Sequence, residues 1–285
     1  MTSSPATGKA DRAYLEGLVE SYIRAMVERD PGIAPLSDKV KYTENTIQLE
    51  IGDGLWATAS ALPTYRLYAC DPETGQPIIL SCRVKAEKGL ITEIESIVVR
   101  SGERPIPTEN LIKPKQVYLE ALEPSERVSR EEMVRITNLY FDALEQDDGD
   151  IVPWDERCNR VENGTQTTNN PNINTGNPKF NPLALGCREQ ISSKSFVHIT
   201  EIRPRYCSVI DEERGLTFGT YVFHHKGNIT SVDIPGIGKV ELTPDAIRPF
   251  TVVVHEIFKI QSGKIREIEA MMTVIPYRAG SGWDD

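Results

Sequence analysis

An α+β fold, in which a helix followed by a mostly antiparallel sheet occurs twice along the chain, is what this sequence predicts. Three observations carry that expectation. The first is an internal repeat. At an offset of 118, without gaps, Tyr22 meets Tyr140, Asp30 meets Asp148, Pro35 meets Pro153, Leu36 meets Trp154, Glu44 meets Glu162 and Asn45 meets Asn163. Further on, Asp71-Pro-Glu-Thr-Gly75 resembles Asp211-Glu-Glu-Arg-Gly215 at offset 140, and Gly89-Leu-Ile-Thr-Glu-Ile-Glu95 resembles Gly263-Lys-Ile-Arg-Glu-Ile-Glu269 at offset 174. The second observation is that each copy opens on an amphipathic helical pattern. The third is that short β-branched runs bounded by turn residues follow each helix.

The elements can be justified in chain order. Arg12–Arg29 carries Tyr14, Leu15, Leu18, Val19, Tyr22, Ile23 and Met26 at helical spacing. Ile78–Lys85 and Ile91–Arg100 read as strands, with Gly75 and Gly89 as hairpin turns. Gly102–Arg127, with Pro105, Pro107, Pro114 and Pro124, reads as a linker. Ser129–Glu145 repeats the helix with Met133, Ile136, Tyr140, Phe141 and Leu144, and Ser129 followed by Glu132 is a capping-box signature. Leu216–His225, Thr251–Ile260 and Ile265–Ile275 read as strands, with a turn at Gly263. Because the offset only grows, the second copy is the first with two insertions, Gly164 to about Gly186 and roughly Lys226 to Pro249. Long loops of this kind are often lids or binding loops. The expected division is 10–100 for the first unit, 101–128 for the linker and 129–285 for the second unit.

Composition narrows the function. The 285 residues include 42 acidic and 32 basic side chains, a formal charge of −10. A nucleic-acid partner would want a basic face. No apolar run approaches the roughly 18 residues of a membrane span. Met1–Asp11 is polar, lacks the apolar core of a secretory signal and reads as a short disordered tail, so a cytoplasmic location is expected. Five cysteines without a CxxC pair suggest neither a disulfide framework nor a zinc site. Cys158 and Cys187 are candidate nucleophiles against the alternative of buried spectator thiols. The sequons at Asn163 and Asn228 are chance matches if no secretory route exists. No phosphate loop, nucleophile elbow or HExxH motif occurs, and neither a metal nor an organic cofactor is expected.

Several stretches resemble a tandem SnoaL-like family within the nuclear transport factor 2-like superfamily. They are Tyr42-Thr-Glu-Asn45, Gly52-Asp-Gly-Leu-Trp56, Glu93-Ile-Glu95, Arg160-Val-Glu-Asn-Gly164, Val209-Ile-Asp-Glu-Glu-Arg-Gly215, Glu256-Ile-Phe-Lys259 and Ile275-Pro-Tyr-Arg-Ala-Gly-Ser-Gly-Trp283. The resemblance implies two cone-shaped α+β units, each with a pocket between helix and curved sheet. Diarylpropane lyases, which remove formaldehyde from lignin-derived diols without a cofactor, have this kind of fold. The resemblance implies a comparable lyase acting on a hydrophobic hydroxylated aromatic molecule. A dehydratase or isomerase of the scytalone or ketosteroid type, and a non-catalytic small-molecule binder, are the alternatives.

Alternate residues of a strand share a face. Val40, Tyr42 and Glu44 therefore lie together, as do their counterparts Cys158, Arg160 and Glu162. An Arg near a Glu on a pocket wall can bind a phenolate or hold the Glu ionised. All four histidines, His198, His224, His225 and His255, fall in the second copy. His224 and His225 are adjacent, so one of them faces inward. Arg160, Glu162, His224, His225, Tyr42 and Glu44 are thus the candidate catalytic groups. Tyr140, Trp154, Asn163 and His255 are candidate substrate contacts. At offset 140 Lys85 aligns with His225. A metal reading would need a third ligand such as His255 or Glu256. Arg203, Arg205 and Asp211 read as an edge-strand charge cluster. Whether the two copies pack on each other or on a second chain, as a homo-oligomer, is left open.

Overall fold

Two 17-residue helices stand at equivalent places in the chain, α1 (Arg12–Glu28) and α4 (Arg130–Gln146). Each is stopped by a residue in the left-handed region, Arg29 or Asp147. Each is followed by an aspartate, Asp30 or Asp148, whose side chain accepts from the backbone N–H two residues on at 2.9 Å. Ser129 caps α4 by accepting from the Glu132 N–H, but the Glu132 carboxylate binds Arg135 (2.6 and 2.7 Å), so the expected capping box is only half formed. The computed structural model describes residues 10–100, 107–173, 180–234, 236–243 and 247–283. Residues 1–9 of the expected tail, 101–106 of the linker, and residues 174–179, 235 and 244–246 of the insertions lie outside them.

In the first unit α1 is followed by β1 (Leu36–Glu44), β2 (Ile47–Leu49), the short α2 (Leu55–Thr58), β3 (Tyr68–Asp71), β4 (Gln76–Ile79), β5 (Cys82–Glu87) and β6 (Leu90–Ser96). After α3 (Gln116–Leu119) and α4 the second unit has β7 (Arg160–Glu162), β8 (Thr165–Gln166), α5 (Cys187–Ser192), β9 (Glu201–Asp211) and β10 (Leu216–His225). A separate hairpin, β11 (Ser231–Ile234) and β12 (Gly238–Glu241), precedes β13 (Phe250–Gln261) and β14 (Lys264–Ile275). The first sheet runs β2-β1-β6-β5-β4-β3 and the second β8-β7-β14-β13-β10-β9. The orders correspond strand for strand. In both, the pairing of the unit's first strand with its last (β1–β6, β7–β14) is parallel and the others are antiparallel.

Two strand expectations change: the strand expected over Ile91–Arg100 ends at Ser96, as β6, and the run expected as one strand before it divides. Ile78–Lys85 is two strands, because the chain reverses at Leu80–Ser81 between β4 and β5. In the second unit that reversal holds the inserted β11–β12 hairpin. Lys85, in β5, therefore corresponds to Lys259 in β13, and its alignment with His225 in β10 is a false match across the insertion.

The amphipathic face of each helix packs on its own sheet. Leu15, Val19 and Tyr22 join Tyr42, Trp56, Val84 and Ile94, and Ile136, Tyr140 and Phe141 join Tyr221, Phe258 and Ile268. The opposite sheet faces meet each other. Ala69 and Ile78 of the first unit share a cluster with Val209, Phe218 and Ile257 of the second, and Ile97 joins Val222, Val253 and Ile275. Reciprocal ion pairs tie the units. Arg12 bonds Asp211 at 2.7 Å, and Arg130 bonds Asp71 at the same distance. Asp211 also accepts from the Cys70 N–H and Asp71 from the Ile210 N–H. Both aspartates are fully buried, so these bonds matter more than those of a surface pair. Thus Asp211 is a contact between units, whereas Arg205 on edge strand β9 pairs with Asp142 and Glu145 of α4.

Candidate functional site

Each unit has a cavity between helix and sheet. The first, about 380 Å³, is lined by Tyr22, Ile23 and Met26 of α1, Leu55 to Ala61 in part, Ile79 to Cys82, and Ser96 to Val98. No charged side chain lines it. The second, about 150 Å³, has aromatic and aliphatic walls, including Phe196, Phe223, Phe250 and Val254, and also contains Tyr140, Arg160, Glu162, His198, His225 and Glu256.

Arg160 comes from β7, which lies parallel to β14. Its guanidinium donates to Gln190 Oε1 of α5 at 2.6 Å and to Glu162 Oε1. It also lies over Tyr140 and Phe196, at 5.7 and 5.0 Å from the ring centroids. Burial opposes its charge, but the acidic groups around it, the bonded Glu162 among them, outweigh that and hold its pKa above the ordinary value. Glu256 sits mid-strand in β13 on the face of Val252, Val254 and Phe258. Burial pushes its carboxyl up to about 8; Arg160 and Tyr140 pull it back, and Glu162 adds to the rise. Near neutral pH it is therefore mostly the neutral acid. Its Oε2 is buried without a hydrogen-bond partner among the described residues. A neutral carboxyl in such a place can donate a hydrogen bond or a proton. His225 stacks on Phe250 with 3.9 Å between centroids and has His198 5.1 Å away. Burial lowers the His198 pKa, which leaves a neutral imidazole able to accept a proton.

Of the residues expected from the sequence, the second cavity gathers Arg160, Glu162, His225 and Tyr140. It does not gather His224, which lies on the other face of β10 and bonds Thr251 Oγ1 (2.8 Å) and the Arg203 carbonyl (3.0 Å). Nor does it gather His255, whose side chain points from β13 toward the first unit and bonds the Ser81 carbonyl at 2.9 Å. Trp154 packs edge-on against Tyr140 and donates to the Gly149 carbonyl, so it supports the wall from behind. Asn163 bonds the backbone of Met272 through both ends of its amide, which fixes the turn after β7. Glu44 accepts from Tyr42, from the Leu55 N–H and from Arg100, so it anchors the start of α2 and is not available to a ligand. Neither Tyr42 nor Glu44 lines the first cavity.

Glu256 and His198 are the groups that the sequence expectations missed as site residues. A signal for Glu256 existed. Extending the 174 offset upstream pairs it with Cys82, and it interrupts the apolar alternation Val252, Val254, Phe258, Ile260. His198 had no comparable signal, since it lies between α5 and β9 outside any strand. Among the described residues no three His, Cys, Asp or Glu side chains converge to hold a metal ion. No helix is long and apolar enough to cross a membrane.

Both units share one fold, a helix packed across a six-stranded sheet. The chain itself belongs to the family described as "Domain of unknown function (DUF8021)", whose model matches residues 126–272. That span covers α4 and nearly all of the second unit. Among solved structures, the chain is similar to a SnoaL-like polyketide cyclase from Agrobacterium tumefaciens, at 17% identity over 49% of this chain and 90% of that one, with a TM-score of 0.29. It is also similar to an NTF-2 like protein of unknown function from Burkholderia xenovorans, at 17% identity over 54% and 94%, with a TM-score of 0.28. A protein of unknown function with a cystatin-like fold from Methylobium petroleophilum matches at 13% identity over 54% and 84%, with a TM-score of 0.32. In each case about half of this chain accounts for most of the other. No curated protein matches the chain.

Proposed function

We propose that the second unit is a cofactor-independent enzyme using acid–base chemistry on a hydroxylated aromatic molecule. The observation that carries this reading is Glu256: a buried carboxyl held neutral, with one oxygen unpartnered, in an aromatic-walled cavity beside an Arg–Glu pair. A cavity of about 150 Å³ suits one aromatic ring. Each group has a role. Glu256 is the general acid, Arg160 stabilises a phenolate, and His198 is the general base.

The finer reading is deformylation of a lignin-derived diarylpropane diol, with the phenolic ring in the cavity and the rest of the molecule beyond it. Glu256 gives its proton to the benzylic hydroxyl, the C–O bond breaks, and water leaves as the phenolate becomes a quinone methide. His198 then takes the proton of the terminal hydroxyl. The bond between the hydroxymethyl carbon and the carbon next to the benzylic one breaks, the hydroxymethyl group departs as formaldehyde, and the electron pair of that bond forms the stilbene double bond and restores the phenolate. The proton held by His198 returns to Glu256 through solvent. A dehydratase reading stops after the first step.

Incubation of the purified chain with a para-hydroxylated diarylpropane-1,3-diol tests both. Equimolar formaldehyde and stilbene are expected. Water loss without formaldehyde would select the dehydratase reading. Saturable binding of the diol with no product would remove the enzymatic one.

A further inference from the structure

Two thiols near the candidate site are left unused by that chemistry. Cys158 precedes β7, two residues before Arg160, and Cys187 is the first residue of α5, which carries Gln190. Their sulfurs are 3.0 Å apart and both cysteines are free. The other three, Cys70, Cys82 and Cys207, have no sulfur partner among the described residues. Both paired thiols are nearly inaccessible, at 3% and 4% exposure. A sulfur–sulfur bond needs about 2.05 Å, so about an ångström of approach separates this pair from a disulfide. The chain between them holds the first insertion.

We propose that Cys158 and Cys187 form a peroxide-oxidisable dithiol, whose disulfide pins the start of α5, and with it the far end of the insertion, to the strand that carries Arg160. The proposal is independent of the function assigned to the cavity. The two sulfurs are unequal. Contact with Cys158, helped by Arg160, lowers the Cys187 thiol from its ordinary range, while burial raises Cys158. Cys187 is the attacking thiolate. Its sulfur attacks one peroxide oxygen, the O–O bond breaks, and the departing hydroxide takes a proton to become water. Cys187 is then a sulfenic acid. The Cys158 sulfur displaces that hydroxyl, forming the S–S bond, and the hydroxide leaves with the Cys158 proton as a second water. Two thiols and one peroxide thus give one disulfide and two waters. Peroxide is the oxidant of choice because it is hardly larger than water, whereas glutathione disulfide cannot reach sulfurs this buried.

The test starts from the fully reduced, folded chain. It is exposed to a few equivalents of hydrogen peroxide, unfolded in N-ethylmaleimide, cleaved without reductant and mapped by mass spectrometry. The expected result is a linked pair of peptides joining Cys158 to Cys187, with Cys70, Cys82 and Cys207 alkylated. The oxidised protein should melt roughly 5–10 °C higher, reversibly with reductant, because the bond closes a long loop. In Cys158→Ser, Cys187 should gain oxygen and form no link. If that variant does not fold, Cys187→Ser serves in the same way: Cys158 should then stay unoxidised. Alkylation of both thiols after peroxide, or a sulfinic acid in place of the link, would overturn the proposal.

Discussion

The two cavities occupy equivalent places in equivalent units, yet the larger one holds no charge and the smaller one holds five ionisable side chains besides its tyrosine. The strand correspondence shows where they diverge. Tyr22 matches Tyr140 in both position and burial. Tyr42 in the first unit stands where the second has Arg160, and Cys82 where the second has Glu256. Glu44 matches Glu162, but with no arginine at position 42 it binds Arg100 and the start of α2 instead. Two substitutions thus separate a hydroxyl- and thiol-lined hollow from a site with an acid and a fixed cation. Volume is a poor guide to chemistry in this protein, and charge inside an apolar wall is a better one.

The sharpest way to break the comparison is to neutralise the two diverged positions separately. Glu256→Gln keeps the shape and removes the proton; if the proposed reaction runs there, kcat should fall about a thousandfold. Cys82→Ala, its counterpart, should leave kcat within about twofold. Equal losses in both, measured on folded protein, would abolish the distinction between the units. Arg160→Met should lower kcat about a hundredfold and also destabilise by about 3 kcal/mol in a urea titration, because Glu162 loses its buried partner. Tyr42→Phe removes one hydrogen bond to Glu44 and should cost about 1 kcal/mol with activity intact.

The last contrast is in stability against pH, and its sign separates the cavity from the junction of the units. Glu256 has a folded pKa raised to about 8 from its ordinary 4.5. Between those values the folded state binds more protons than the unfolded one. Its contribution is complete below 4.5, declines as pH rises, and is gone above about 8, at most about 1.4 kcal/mol per pH unit. Glu95 lies at the junction, where burial opposes its charge but His255 and Arg83 hold it down at about 2. Its contribution is present above 4.5 and is lost as pH falls toward 2. Chemical denaturation across pH should therefore show Glu256→Gln flattening only the decline between about 4.5 and 8, and Glu95→Gln only the loss between about 4.5 and 2. The same acid also dictates rate: activity needing neutral Glu256 should fall tenfold per pH unit above about 8.

The repeat, both long helices and the strands β10, β13 and β14 were legible in the sequence, because each carries its own hydrophobic period. The reversal at Leu80–Ser81 was not, since a two-residue turn without Gly or Asn leaves no mark in an unbroken apolar run. In the site, Arg160 and Glu162 were legible through strand alternation from Cys158. His224 and His225 could not be told apart, because both faces of β10 are buried, one by α4 and one by the other unit. His255 misled for the same reason. A strand buried on both sides loses the alternation that would say which side chains face a cavity.

The exchanged arginines at the ends of α1 and α4 have a consequence for how such a chain can change over time. Arg12 reaches across to Asp211 as Arg130 reaches across to Asp71, which is the pattern of a two-fold dimer written into one polypeptide. In a dimer of identical chains every mutation arrives twice, so neither cavity can be altered alone, and the pair separates on dilution. Within one chain the partner is always present at a fixed effective concentration. Residues 42 and 160, or 82 and 256, are then free to drift apart while one half continues to brace the other.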